Sequence, residues 1–152
     1  MANDDTINIH CQCGALSLRV KGPPIVQLVC HCRDCKEATN LPYIECAFFE
    51  STACSSQGSS TLSAMKGSSG YDKSYFSCES CRTTMYARVN ALNGAWAVVA
   101  NQQASFTFEP EAHIWTSEKA SDVSIPESAV QSSSGPPEDI RALMISTFWG
   151  KR

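Results

Sequence analysis

Cys30-His31-Cys32-Arg33-Asp34-Cys35 places three thiols within six residues at the spacing C-x-C-x-x-C. One disulfide cannot use three thiols evenly, whereas a soft divalent metal accepts all of them. Thiolates hold zinc at roughly 2.3 Å in a tetrahedron. Three protein ligands leave the fourth corner for water or substrate, which is the arrangement of a catalytic rather than a structural zinc. The stretch therefore reads as a reactive metal site on Cys30, Cys32 and Cys35, with the rest of the chain as the body that holds it.

Two further cysteine groups flank it, Cys11/Cys13 in Cys11-Gln12-Cys13-Gly14 and Cys78/Cys81 in Cys78-Glu79-Ser80-Cys81. Each is a pair, and together they make a four-thiolate set. Two knuckles at the tips of separate hairpins closing on one zinc tie those hairpins together and stabilise the fold outright. The expectation is two zinc ions per chain, one held by Cys11, Cys13, Cys78 and Cys81 and one by the middle cluster. A second partition stays open, in which one zinc takes four thiols from two clusters while the others remain free or do redox work. Cys46 lies in an apolar run and reads as core. Cys54 lies in a Ser-rich stretch without a basic neighbour to lower its pKa.

The segments around these clusters are short and β-prone. Residues 6–10 and 15–21 flank C-x-C-G, and Leu16, Leu18 and Val20 alternate with Ser17, Arg19 and Lys21, the pattern of a half-buried strand. Gly22-Pro23-Pro24 ends it, and residues 25–29 form a strand that delivers the chain to Cys30. Lys36-Glu37-Ala38 suits one helical turn, stopped by Asn40 and Pro42. Strands are predicted over residues 43–49, 73–77, 83–89, 95–100 and 111–116, with Asn93-Gly94 as a turn. Residues 51–70, rich in Ser, Gly and Thr, read as a long loop around a weak 61–65 segment. Residues 1–5 read as a disordered start, and 117–137 as a polar stretch wrapping the surface. A C-terminal helix is expected over 139–149, with Ile140, Leu143, Met144 and Phe148 at helical spacing.

The chain has 152 residues, 43% of them hydrophobic and 18% charged, which suits one soluble domain spanning 1–152. A net charge of −3 with no Lys/Arg cluster argues against nucleic acid or an anionic membrane as partner. No apolar run approaches the length of a membrane span. The polar, acidic N-terminus is unlike a signal peptide, so the expected compartment is the cytoplasm, where nine cysteines point to metal or thiol chemistry.

Cys11-Gln12-Cys13-Gly14, then Cys30-His31-Cys32-Arg33-Asp34-Cys35, then Phe76-Ser77-Cys78-Glu79-Ser80-Cys81 resemble the glutathione-dependent formaldehyde-activating enzyme family, which also includes centromere protein V. The resemblance runs from about residue 7 to residue 125. It implies a mainly β fold, a sandwich or tent of small zinc-stabilised sheets with short helical turns. It also implies a structural zinc on Cys11, Cys13, Cys78 and Cys81, and a catalytic zinc on Cys30, Cys32 and Cys35. The implied chemistry is carbon–sulfur bond making or breaking on a glutathione adduct, classed as a lyase. The chain departs from the family pattern where Gly is usual: it has Thr39-Asn40 after the middle cluster and Arg82 after the second C-x-x-C.

A zinc held by three thiolates is a soft Lewis acid suited to a sulfur ligand in its open corner. His31, Arg33 and Asp34 are candidates for supporting positions around that metal. Arg33, Lys36 and Arg82 are candidates to meet the carboxylates of glutathione or another anionic thiol. His10 and His113 read as structural, and Tyr43, Tyr75, Phe48, Phe49, Trp96 and Trp115 as core or pocket lining. Two functions follow: an enzyme acting on a small thiol adduct, or a non-catalytic zinc-stabilised binding module. The enzyme needs an open metal position at the foot of a pocket. The module needs that site closed or empty, with an apolar patch exposed elsewhere.

Overall fold

The computed structural model describes residues 6–66, 72–101 and 107–150. The expected disordered start, residues 1–5, lies outside them. Strands β1 (Thr6–His10) and β2 (Ser17–Lys21) pair antiparallel, with Ile9 opposite Leu18, and the C-x-C-G segment is the tip of their hairpin. Strand β3 (Val26–Cys30) ends on the first thiol of the middle cluster. Helix α1 (Arg33–Thr39) follows at once, longer than the single turn expected, because Cys32 caps its N-terminus: the Cys35 amide donates to Cys32 Sγ. Asn40 ends the helix at φ 58°, a left-handed position that asparagine tolerates.

Strands β4 (Ile44–Phe49), β5 (Cys54–Gln57), β6 (Ser60–Lys66), β7 (Asp72–Cys78), β8 (Thr84–Val89), β9 (Ala95–Val99) and β10 (Ala112–Ile114) come next, and helix α2 (Glu138–Trp149) closes the chain. Two sheets result. The smaller has the order β1-β2-β5, and the larger has the order β10-β3-β4-β9-β8-β7-β6. The long loop expected over 51–70 is, as far as residue 66, mostly strand. Both β5 and β6 lie on sheet edges and are largely exposed where their side chains are described, so backbone pairing alone builds them and no apolar alternation marks them. Asn93 and Gly94, both at positive φ, close the β8–β9 connection as expected.

The large sheet has two working faces, because side chains alternate along a strand. On one face Ala47, Phe49, Trp96 and Val98 pack against Ile9, Leu18 and Val20 of the small sheet. Phe76, Tyr86 and Trp96 stack across β7, β8 and β9 there, with centroids 4.5 and 3.8 Å apart. On the other face Leu28, Ile44, Phe48 and Ala97 gather with the middle cysteines and with Met144 and Phe148 of α2. Ile140 packs on that cluster too, but Leu143, expected on the buried side of α2, is 46% exposed. The segment before α2 runs back along β10: the His113 amide donates to Val130 O and the Trp115 amide to Ser134 O.

Gly58 carries the chain from the small sheet to the large one at φ +109°. A Cβ there would stand 2.1 Å from the backbone oxygen of Ala15, beside the tip of the hairpin that carries Cys11 and Cys13. Gly58→Ala is therefore expected to cost about 2–3 kcal/mol, since it adds this clash to an unfavourable backbone region. A fall in denaturant midpoint at unchanged m-value checks it.

Candidate metal centre

The β1–β2 hairpin tip and the β7–β8 turn meet, and the sulfurs of Cys11, Cys13, Cys78 and Cys81 all lie within 4.8 Å of one another. Cys11 Sγ is 3.7 Å from Cys13 Sγ, which is 3.6 Å from Cys78 Sγ. Four thiolates at zinc-bond length on a tetrahedron would be roughly 3.8 Å apart, so this donor set fits the ion. Amide donors already point at it: Leu16 N is 3.3 Å from Cys11 Sγ and Cys81 N is 3.5 Å from Cys78 Sγ. The Thr83 hydroxyl, 3.1 Å from Cys81 Sγ, leads the effects that bring the Cys81 thiol down to about 5. Arg82 follows the knuckle at φ 66°, its amide donating to Cys78 O, and its side chain is exposed. The tight turn accounts for the glycine usual there.

The middle cluster is built differently. Strand β3 supplies Cys30, the cap of α1 supplies Cys32, and the first turn of α1 supplies Cys35, all three buried. Cys30 Sγ lies 3.3 Å from Cys32 Sγ and 3.5 Å from Cys35 Sγ. These gaps are far longer than the roughly 2.05 Å of a disulfide and near the span of a shared ion. Hydrogen bonds from Cys30 and Cys35 bring the Cys32 thiol down to about 2 despite its burial. Cys30, whose proton is engaged on Cys32, moves well above its ordinary value. Cys32 alone is drawn toward thiolate: the bond to Cys30 lowers the Cys35 thiol, but the bond to Cys32 and burial outweigh it and push Cys35 up to about 11. The Tyr75 hydroxyl lies 3.7 Å from Cys35 Sγ. Lys73, two residues earlier on β7, feels burial pulling its pKa down, but the field of Cys35, Cys32 and Cys30 outweighs this and the net shift is upward.

Beside Cys30 and Cys35 lies a cavity of about 300 Å³. Its walls are mainly apolar, from Leu28, Phe48, Val89, Ile114 and Trp115 on the sheet side and Met144 on α2. Among the described lining residues the only charges are Lys73 and Arg141. Phe48, Tyr75 and Trp115 line the cavity, as expected of aromatics near a site, whereas Phe49 and Trp96 belong to the layer between the sheets. Cys46 is core and also lines the cavity. Cys54 donates to Glu50 O at 3.3 Å, and burial pushes its thiol up to about 12, a direction that disfavours the thiolate.

The residues beside the thiols are structural anchors in this arrangement. His31 is fully buried, and its Nε2 lies 3.0 Å from Nδ1 of His113, with the Tyr43 ring 5.6 Å away. Burial brings its pKa down to about 4, so the ring is neutral near pH 7. His31 Nδ1 finds no partner among the described residues, which places the proton on Nε2, donating to His113, and leaves only a lone pair unsatisfied. Asp34 is buried in the first turn of α1. The Arg33 amide donates to Glu118 Oε1, and Lys36 Nζ donates to Glu118 O. Neither Arg33, Lys36 nor Arg82 lines the cavity, so the basic residues at its wall are ones that motif spacing did not single out: Lys73 and Arg141. Their signal was weak because each depends on which way a strand or helix face turns.

The family model for the glutathione-dependent formaldehyde-activating enzyme matches residues 6–118, and the chain belongs to that family. No curated protein gives a match by sequence search. No helix among the described residues is long and apolar enough to cross a membrane. Metal analysis of the purified protein is expected to give close to two zinc ions per chain. A value near one, with three native thiols open to titration, would leave the middle cluster without an ion.

Proposed function

We propose that this member of the glutathione-dependent formaldehyde-activating enzyme family makes or breaks a carbon–sulfur bond in a small thiol adduct, a lyase-type reaction. Cys11, Cys13, Cys78 and Cys81 would hold a structural zinc, and Cys30, Cys32 and Cys35 a catalytic one. The observation that carries the reading is a three-thiol set, with no fourth ligand among the described residues, two of whose members, Cys30 and Cys35, line an apolar cavity. A binding module would need that set closed by a fourth ligand or left without an ion, and no closing ligand lies among the described residues. Zinc bound there supplies a soft Lewis acid that lowers the pKa of a thiol entering the open position.

The chain's own residues divide the remaining work. Apolar walls exclude water and orient the carbon part of the adduct. Tyr75 stays protonated at neutral pH, chiefly through burial and then through the neighbouring Cys35 thiol, so its hydroxyl is a donor and not a base. Lys73 offsets the negative charge that three thiolates bring into a dry site. His31 and His113 fix the loop between β3 and α1 on which Cys32 rides. In the addition direction the thiol sulfur forms the new bond and its proton ends on the electrophile. In cleavage the electron pair of the carbon–sulfur bond returns to sulfur, the proton moves back from the carbon fragment to the thiol, and the electrophile is released. Nine cysteines, none of them in a disulfide, suit the reducing cytoplasm as the working compartment.

The two thiol sets should separate under mutation. Cys32→Ser is expected to lower turnover of a thiol adduct by at least about 10³-fold, an order typical of losing a group that acts in the transition state, while thermal stability falls little. Cys78→Ser is expected to lower solubility and thermal stability markedly, because it opens the tie between two hairpins. Paired assays of turnover and melting on both variants check this. Equal unfolding of the two would remove the division of roles.

A further inference from the structure

The family match ends at residue 118, but the cavity does not. Gly135, Pro136, Arg141, Met144 and Ile145 close it from beyond that point. This cover is anchored on both sides. Trp149 Nε1 donates to Ala91 O at 2.8 Å and Asn93 Nδ2 to Phe148 O at 3.0 Å, fixing the end of α2 to the β8–β9 connection. The Trp115 amide donates to Ser134 O at 2.7 Å, fixing the segment that leads into α2. A part of the chain outside the family core therefore supplies one wall of the site, and that wall is mostly apolar.

The lining shows what such a site can hold. Glutathione carries two carboxylates, an ammonium and two amides, each of which must keep a partner when it leaves water. Among the described lining residues, the side-chain polar groups are Lys73, Tyr75, Arg141, the indole N–H of Trp115 and the three thiols of Cys30, Cys35 and Cys46. Lys73 and Tyr75 already face the cysteines. Arg141 stands apart on α2, 58% exposed, with Glu138 at 3.8 Å as a weak surface partner. The cavity thus offers apolar walls, sulfur at one end and one free-standing guanidinium on the cover. A volume of about 300 Å³ is at the low end for small-molecule sites.

We propose that the segment beyond residue 118 makes this cavity selective for an apolar carbon body of arylalkyl or branched-chain size, joined to the sulfur that meets Cys30 and Cys35 and carrying a carboxylate for Arg141. The substrate is then an apolar thiol or its adduct, and a one-carbon adduct would leave the walls uncovered. The sulfur end of this assignment rests on the carbon–sulfur reading above, whereas the apolar body and the carboxylate rest on the lining alone.

Binding to the zinc-loaded full chain tests it, read by calorimetry and by Trp fluorescence. The probes are 2-benzyl-3-sulfanylpropanoate, 3-phenylpropanoate, which lacks its sulfanylmethyl group, the neutral 3-phenylpropan-1-ol, and glutathione. The aryl thiol is expected to bind at least tenfold tighter than glutathione. Ile145→Asp, at a half-exposed position of the cover, should weaken both aryl carboxylates at least tenfold with melting temperature and zinc content unchanged. Arg141→Gln should weaken 3-phenylpropanoate several-fold and leave the alcohol unaffected. Glutathione binding as tightly as the aryl thiol, or an Ile145→Asp variant that binds like the parent, overturns the proposal. If 3-phenylpropanoate binds and responds to both variants while the thiol adds nothing to affinity, the cavity assignment stands and the carbon–sulfur reading falls.

Discussion

Sulfur held near sulfur is the constraint on which this molecule depends. Seven thiols sit in two groups, at separations too long for a covalent bond and close to what one shared cation imposes. Without a cation each group brings buried or half-buried polarisable atoms together with only weak thiol hydrogen bonds between them. A cation converts that crowding into bonds. The two groups differ in what they join. The four-thiol set links the tip of β1–β2 to the turn after β7, so it clamps the small sheet to the large one. The three-thiol set is local, assembled from residues 30–35 at one strand end and one helix cap. Losing the first would separate layers, and losing the second would leave the layers packed.

The two faces of the large sheet explain why a small chain holds both a core and a cavity. The face carrying Phe49, Trp96 and Val98 has a partner layer of its own in the small sheet. The opposite face has no second sheet among the described residues. It is covered by α1, α2 and the strap along β10. Helices and irregular chain cannot match the pleat of a sheet everywhere, and the mismatch is the cavity. Its floor is rigid because it is sheet. Its cover can vary without disturbing the clamp, since the two lie on different faces.

Much of this was legible in the chain. The three cysteine clusters gave both thiol sets, and the alternation of Leu16, Leu18 and Val20 gave the small sheet its buried face. Asn93-Gly94 gave the β8–β9 connection. What stayed hidden has a common cause. Strands β5 and β6 are edge strands whose residues Ser55, Ser56, Ser60 and Thr61 meet solvent, so backbone pairing holds them and no periodic signal is written in their side chains. Lys73 looks like an ordinary surface lysine until the register places it on the same face as Tyr75, pointing toward the thiols. His31 and His113 are 82 residues apart and meet only because β10 pairs in parallel with β3. Each of these depends on which strands become neighbours, and that is decided by the whole sheet.

Charge follows from the same placement. Three thiolates and a divalent cation leave a net charge of −1, which a dry site tolerates poorly. Lys73, on β7, would supply the opposite sign, so with a cation bound the group would be neutral only when strand, cap and metal are all in place. The lysine would then belong to the electrostatics of that site and be less free to meet an anionic substrate. Among the described residues Arg141 is then the remaining cation at the cavity wall, and it belongs to the cover. The core of the fold carries the three buried thiols and Lys73, while the C-terminal helix supplies part of the wall of the cavity beside them.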